Sequence, residues 1–283
     1  MDIKGTIEKE YSGHEDLSKL LDSVDDIEWL AKMVTWDEYG NNKELSKKLC
    51  DTIMTTTDSI DSLVNILDLA QDEDCINDAA YAKEVVSKAI SIADNSSDKS
   101  YYLKIADCVT DIDMARELYL KSLEAFEDEE GDFDNYQWLG LSISQRLEDK
   151  ALAKDVLTKG LNKFPMSENY RSVAQETGDK YNDMHDKEWT KELLEKAYST
   201  AKSSNDYREI ANVFIDAGLY DPEDDDDEKQ INWLSDLYIL ALVLTDDKDD
   251  KKFIKKEMKE NNMARTAKYI KDRGAELLKD MDK

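Results

Sequence analysis

The residues whose types and spacing could do chemistry are few in this chain. Its only histidines are His14 and His185. His185 stands before Asp186, Lys187 and Glu188, and an imidazole with a carboxylate three positions on at a helix start could in principle grip a metal ion. The simpler expectation is a turn residue beside an acidic first turn that complements the helix dipole. Carboxylates crowd two stretches, Glu127 to Asp134 and Asp221 to Glu228. Neither has the spacing of a helix-loop-helix calcium site, and Gly131 falls in the wrong place for its sharp turn. A solvating role is expected of both.

Other catalytic signatures are missing. No two glycines lie closer than eight positions apart, Gly5 and Gly13 being the nearest pair. That spacing excludes a phosphate-cradling glycine loop and the glycine-flanked serine of a hydrolase elbow. Cys50, Cys75 and Cys108 are odd in number and lack a Cys-x-x-Cys spacing, which argues against a disulfide framework or a zinc site and for a reducing cytoplasm. The expectation is a protein that is not an enzyme, with no catalytic residue, no metal and no cofactor.

Charge narrows the partners. Asp and Glu number 66 against 38 Lys and Arg, a formal net charge of -28. Nucleic acid and anionic lipid repel such a surface, whereas basic proteins and peptides are drawn to it. Met1 to Lys9 is polar with both signs of charge, unlike a signal peptide, and the longest apolar run, Leu237 to Leu244, is far short of the roughly 20 residues of a membrane span. A soluble, cytoplasmic chain is expected.

The elements that must position any binding surface are helices. Only Pro165 and Pro222 interrupt the chain, and apolar residues recur at three and four, as in Val24, Ile27, Leu30, Ala31 and Val34. Repetition is the strongest signal. Tyr102-x-x-Ile105-Ala106, Tyr136-x-x-Leu139-Gly140, Tyr170-x-x-Val173-Ala174 and Tyr207-x-x-Ile210-Ala211 share one pattern, with Ile27-x-x-Leu30-Ala31 and Leu63-Val64 as weaker copies. Each marks the first helix of a pair. A second pattern follows, with a small residue, a basic residue, and apolar or small residues three and seven after the first: Ser46-Lys47, Ala82-Lys83, Ala115-Arg116, Ala153-Lys154 and Thr190-Lys191. Small residues at fixed points let paired helices approach closely, and a single pair leaves one face bare, so the pairs must stack. In four of the five copies an acid follows the basic residue directly (Glu84, Glu117, Asp155, Glu192), which predicts a ladder of exposed ion pairs between neighbouring units.

These residues resemble the tetratricopeptide repeat family. The nearest unit is 136–165, where Tyr136, Leu139, Gly140, Ile143, Ala153, Leu157, Gly160 and Pro165 follow that family's order. The resemblance covers roughly residues 24 to 217, and the turn lengths vary enough to suit a degenerate member or a related helical-pair solenoid. It implies an all-α, right-handed stack of about six helix pairs. It also implies that a peptide would lie along first-helix positions, here Leu103, Asp107, Gln137, Leu141, Arg171, Gln175, Arg208 and Asn212. They are mixed in sign, and the tyrosines of the pattern are expected to pack between units.

The pattern predicts a lead-in helix at 1–23, repeats at 24–217, an acidic loop at 218–229 and a C-terminal helical cap at 230–283. From Lys248 to Lys283 there are 12 basic and 8 acidic residues, a net of +4, leaving -32 for the rest. Docking that segment near Trp233 and Leu237, with Ile254, Ile270 and Leu277 inward and lysines facing acid, would cover the end of the stack. The expected function is a protein-protein interaction scaffold for a peptide or basic protein. The alternative is an acidic inhibitor or immunity-type protein that neutralises a basic effector.

Overall fold

The computed structural model describes residues 24–98, 100–128, 132–179, 184–220, 228–263 and 265–281. The expected lead-in helix, His14 and residues 221–227 of the acidic loop lie outside them. Some 80% of the described residues are helical, and no strand occurs among them. The helices are α1 (Val24–Met33), α2 (Lys43–Thr56), α3 (Ile60–Gln71), α4 (Ala79–Asn95), α5 (Ser100–Cys108), α6 (Ile112–Asp128), α7 (Phe133–Leu147), α8 (Lys150–Lys163), α9 (Ser167–Gly178), α10 (Lys187–Thr200), α11 (Ser204–Asp216), α12 (Glu228–Leu244), α13 (Lys248–Glu260) and α14 (Ala267–Met281). They form two compact units, divided between Gly131 and Asp132.

Local chemistry explains where helices begin. The side chains of Asn42, Ser59, Asp78, Asp132, Asp149, Asp186, Ser203 and Asp247 each accept a hydrogen bond from an amide of the first turn that follows. Those amides have no partner within the helix, and a short oxygen-bearing side chain supplies one. Part of the chain's acid excess therefore serves as helix caps. At Ser203 the exchange is mutual, because Asp206 accepts from the Ser203 amide in return.

Packing follows the repeat register. In the first unit α1 pairs with α2, α3 with α4 and α5 with α6; in the second, α7 pairs with α8, α9 with α10 and α11 with α12. First helices also lie against one another, α1 on α3 and α3 on α5 in the first unit, and α9 on α11 in the second. Tyr102, Tyr136, Tyr170 and Tyr207 are all buried, as are Ile105, Leu139, Val173, Ile210 and the small residues beside them. In the second helices the small positions Ser46, Ala82, Ala115, Ala153 and Thr190 are buried, and so are Leu49, Val85, Leu118, Val156 and Leu193 three residues on. The sequence repeat is thus a burial repeat, one apolar stripe per helix turned to its neighbour.

Close approach between α7 and α8 depends on two glycines facing opposite ways. A Cβ on Gly140 would stand 2.6 Å from Leu157 Cγ, and one on Gly160 would stand 2.5 Å from Tyr136 Cβ. Between α9 and α10 the hydroxyls of Thr177 and Thr190 meet at 2.9 Å, so these small residues satisfy each other in the interior.

Of the five basic positions expected to form a ladder, Lys47 and Lys154 make inter-helix rungs, with different partners from those expected. Lys47 Nζ donates to Asp78 at 2.6 Å and lies 4.7 Å from the Tyr81 ring centre. Lys154 Nζ donates to Asp186 at 3.1 Å and lies 4.5 Å from the Trp189 ring centre. Each lysine reaches the capping aspartate of the next second helix and the aromatic three residues beyond it. Asp155, which directly follows Lys154, pairs with Lys159 of its own helix, and Lys191 pairs with Glu188 one turn earlier in its own helix. A neighbour in sequence points about 100° away around a helix, whereas the next unit's cap lies straight ahead.

The rung has a pH signature. The Lys47 ammonium, then the amides of Tyr81 and Ala80, hold the Asp78 carboxyl below its usual range. The same hydrogen bond raises Lys47. A depressed carboxyl contributes stability above its unfolded value of about 3.9 and loses it as pH falls through the folded value. A raised lysine loses its contribution only as pH rises through its own folded value. Asp78→Asn keeps a capping oxygen and removes the charge. Urea unfolding midpoints should fall below wild type near neutrality, and the gap should begin to shrink only below the unfolded value of about 3.9 and close once pH has passed the lower, folded value of the Asp78 carboxyl. A gap independent of pH would assign the effect to the cap alone.

The second unit ends in a docked cap. Helices α13 and α14 both pack on α12. Ile254, Met258, Met263 and Leu277 are buried, while Ile270 is half-buried. The ion pair that ties this segment to α12 comes from an arginine: Arg273 holds Asp236 with two nitrogens, at 2.6 and 3.0 Å. A fork matches a carboxylate in a way that the flexible lysines of α13 do not, and Lys256 pairs within its own helix, with Glu260.

Candidate functional site

The positions expected to meet a peptide fall in both units. Leu103 and Asp107 are on α5 in the first; the other six are on α7, α9 and α11 in the second. Leu103 is buried, and Asp107 accepts a hydrogen bond from the Tyr119 hydroxyl at 2.7 Å. Leu103 is thus taken up by the interior, and Asp107 by the packing of α5 on α6.

In the second unit three of the six positions, Gln137, Arg171 and Asn212, take part in a laterally bridged polar row. Gln137 on α7 exchanges hydrogen bonds with Ser172 on α9, at 2.8 and 3.0 Å. Arg171 on α9 stands 3.6 Å from Asp206 on α11. Asn212 on α11 accepts from the Tyr238 hydroxyl of α12 at 3.4 Å, and that hydroxyl accepts from Asn261, at the end of α13, at 3.1 Å. Each link joins one helix to the next. Arg208 turns to its own helix, donating to Glu209 at 2.7 Å and Asn205 at 2.9 Å, and its guanidinium lies 5.5 Å from the exposed Phe253 ring. Leu141 is half-buried and Gln175 is exposed.

The row retains hydrogen-bonding capacity. Arg171 has a side chain only 14% exposed, and its Nε is buried without a partner. Glu257 of α13, which faces Arg208, also keeps one buried carboxylate oxygen unpartnered. Burial raises the Glu257 carboxyl above its usual range, Arg208 opposes that rise, and Glu209 and Glu260 add to it. At Asp206 burial pulls upward, but the amides of Lys202 and Ser203, the Ser203 hydroxyl and Arg171 together hold the carboxyl low. Charges fixed by neighbours in this way need little rearrangement to meet a guest.

Ser172, Asp206, Tyr238, Glu257 and Asn261 complete the row and were not picked out from the sequence. Asp206 could have been, because Ser203 and Asp206 form a capping-box spacing. Glu257 could not, since nothing local says which face of α13 meets α11. Trp138, one position beyond Gln137 on α7, is 66% exposed, and its place inside an otherwise ordinary pattern hides that.

His185 lies just before the α10 cap, with its Nδ1 buried and unpartnered. Asp186, the nearest carboxylate in sequence, is already engaged by the Trp189 amide and Lys154. Among the described residues no group of three or more His, Cys, Asp or Glu is arranged to hold a metal ion. No described helix is long and apolar enough to cross a membrane. Neither a protein-family model nor a curated protein sequence matches this chain.

Proposed function

We propose that this protein is a cytoplasmic interaction scaffold, related in design to tetratricopeptide-like helical pairs, whose first-helix surface in the second unit receives a peptide or a basic protein segment. The observation that carries this reading is the chain of side-chain links from α7 through α9 and α11 to α12. It fixes a polar surface before any guest arrives, and it leaves Gln175 exposed for a peptide backbone or side chain. Preorganisation of this kind lowers the ordering cost of binding. The net charge of -28 favours a basic guest, and nothing in the row gathers the nucleophile, base and orienting partner that covalent catalysis needs.

An array of overlapping basic and acidic peptides tests the reading. Retention of a subset of the basic peptides is expected. Gln175→Arg puts a repelling cation on the exposed middle of the row without breaking any link, and should weaken those peptides by at least about tenfold at unchanged helix content. Indiscriminate capture of basic peptides, lost in salt and indifferent to Gln175→Arg, would instead support the acidic-inhibitor alternative.

A further inference from the structure

The first unit contains a cavity of about 330 Å³ between α1, α2 and α3. Its volume falls within the range of small-ligand sites. The floor is apolar, with Ile53 of α2 and Ile66 of α3. Glu28 and Trp29 of α1, Asn65 of α3 and Asp72, the residue that follows α3, also line it. Three features give it a chemical preference. Glu28 is oriented by a 2.8 Å hydrogen bond from Asn65 to one carboxylate oxygen, while the other oxygen is buried with no partner. The Trp29 ring is 48% exposed yet braced edge-on by Trp36 at 5.5 Å, so a large π face stays fixed at the rim. Asp68 and Asp72 add two further carboxylates.

We propose that this cavity binds the arginine side chain of a basic protein partner, with the guanidinium donating to the unpartnered Glu28 oxygen and lying against the Trp29 ring. A guanidinium is flat, weakly hydrated and always charged, so it stacks on indole and tolerates a half-apolar pocket better than a compact ammonium. Burying the Glu28 oxygen without a donor costs free energy, and an arriving N–H removes that cost. The surroundings are negative enough to act on a neighbour: burial, then Asp51 and Glu28, push the Cys50 thiol up to about 12. Lys32, also at the cavity, is the one lining cation among the described residues and works against the guest.

The test is titration of the full chain with acetyl-arginine-amide, followed through the indole N–H resonances, with Trp29→Phe identifying the relevant signal. Saturable movement of the Trp29 signal is expected, with a dissociation constant on the order of millimolar for so small a probe. Glu28→Gln preserves shape and the acceptor for Asn65, and should weaken binding by at least about tenfold. Lys32→Gln should tighten it. Acetyl-lysine-amide should bind more weakly, and acetyl-glutamate-amide not at all. The proposal is overturned if the Trp29 signal does not saturate with the arginine probe, if the anionic probe moves it equally, or if Glu28→Gln binds as wild type does at unchanged helix content. The site uses none of the residues of the α7, α9 and α11 row. Gln175→Arg should leave this titration unchanged, and a failed titration leaves the peptide-array result standing.

Discussion

Gly160→Leu is expected to lower stability by about 3 kcal/mol, or roughly 6–12 °C in melting temperature. A Cβ at this position would lie 2.5 Å from Tyr136 Cβ and 2.8 Å from Cγ, atoms at the root of a buried side chain that no rotation carries away. Gly140 is different in kind, because its Cβ would meet the branched end of Leu157, which has somewhere to turn. The sharper form of the prediction uses Gly160→Ala. Helix propensity alone would make that change stabilising by about 1 kcal/mol, whereas the close approach of α7 and α8 makes it destabilising. The sign of the shift in a thermal melt decides between them.

Removing residues 248–283 is expected to have the larger effect, with loss of cooperative unfolding in the second unit and aggregation. Helix α12 is apolar through Leu237, Tyr238, Ile239, Leu240, Ala241 and Leu242, all buried. Gly274 of α14 sits so near that a Cβ there would be 2.7 Å from Val243, and the Tyr207 hydroxyl contacts Met281 at 3.6 Å. Truncation bares that face and orphans Asp236, the partner of Arg273. Ile254→Ala provides a gentler version, with about 3 kcal/mol expected for a fully buried aliphatic. A basic arm detached from the stack would leave both melts unchanged.

These two sites show what could be read without coordinates. Gly160 belongs to the second pattern and Tyr136 to the first, and the fit of one against the other is the reason both patterns exist. Burial repeats with the helix period, so spacing exposes it. The cap was legible in part, because Ile254 and Leu277 fall on an apolar stripe, while the Arg273 fork to Asp236 spans 37 residues and leaves no local trace. The two lysine rungs were legible as inter-helix ion pairs but not in their partners. Once Asp78 and Asp186 are recognised as helix caps, their offsets from Lys47 and Lys154 repeat, at 31 and 32 residues. The polar row was half visible: its first-helix positions follow from the repeat, but Ser172, Tyr238 and Glu257 become partners only through tertiary packing. The Glu28 cavity was not legible at all, since an unpartnered oxygen is a property of three helices meeting rather than of any one.

Hydrogen exchange with and without a peptide retained by the array tests the central claim most directly, that the linked first helices of the second unit form the binding surface. Amide exchange should slow along α7, α9 and α11 when the peptide is bound, with α8 and α10 unchanged. Slowing confined to α8 and α10, or none anywhere at saturation, would contradict the account.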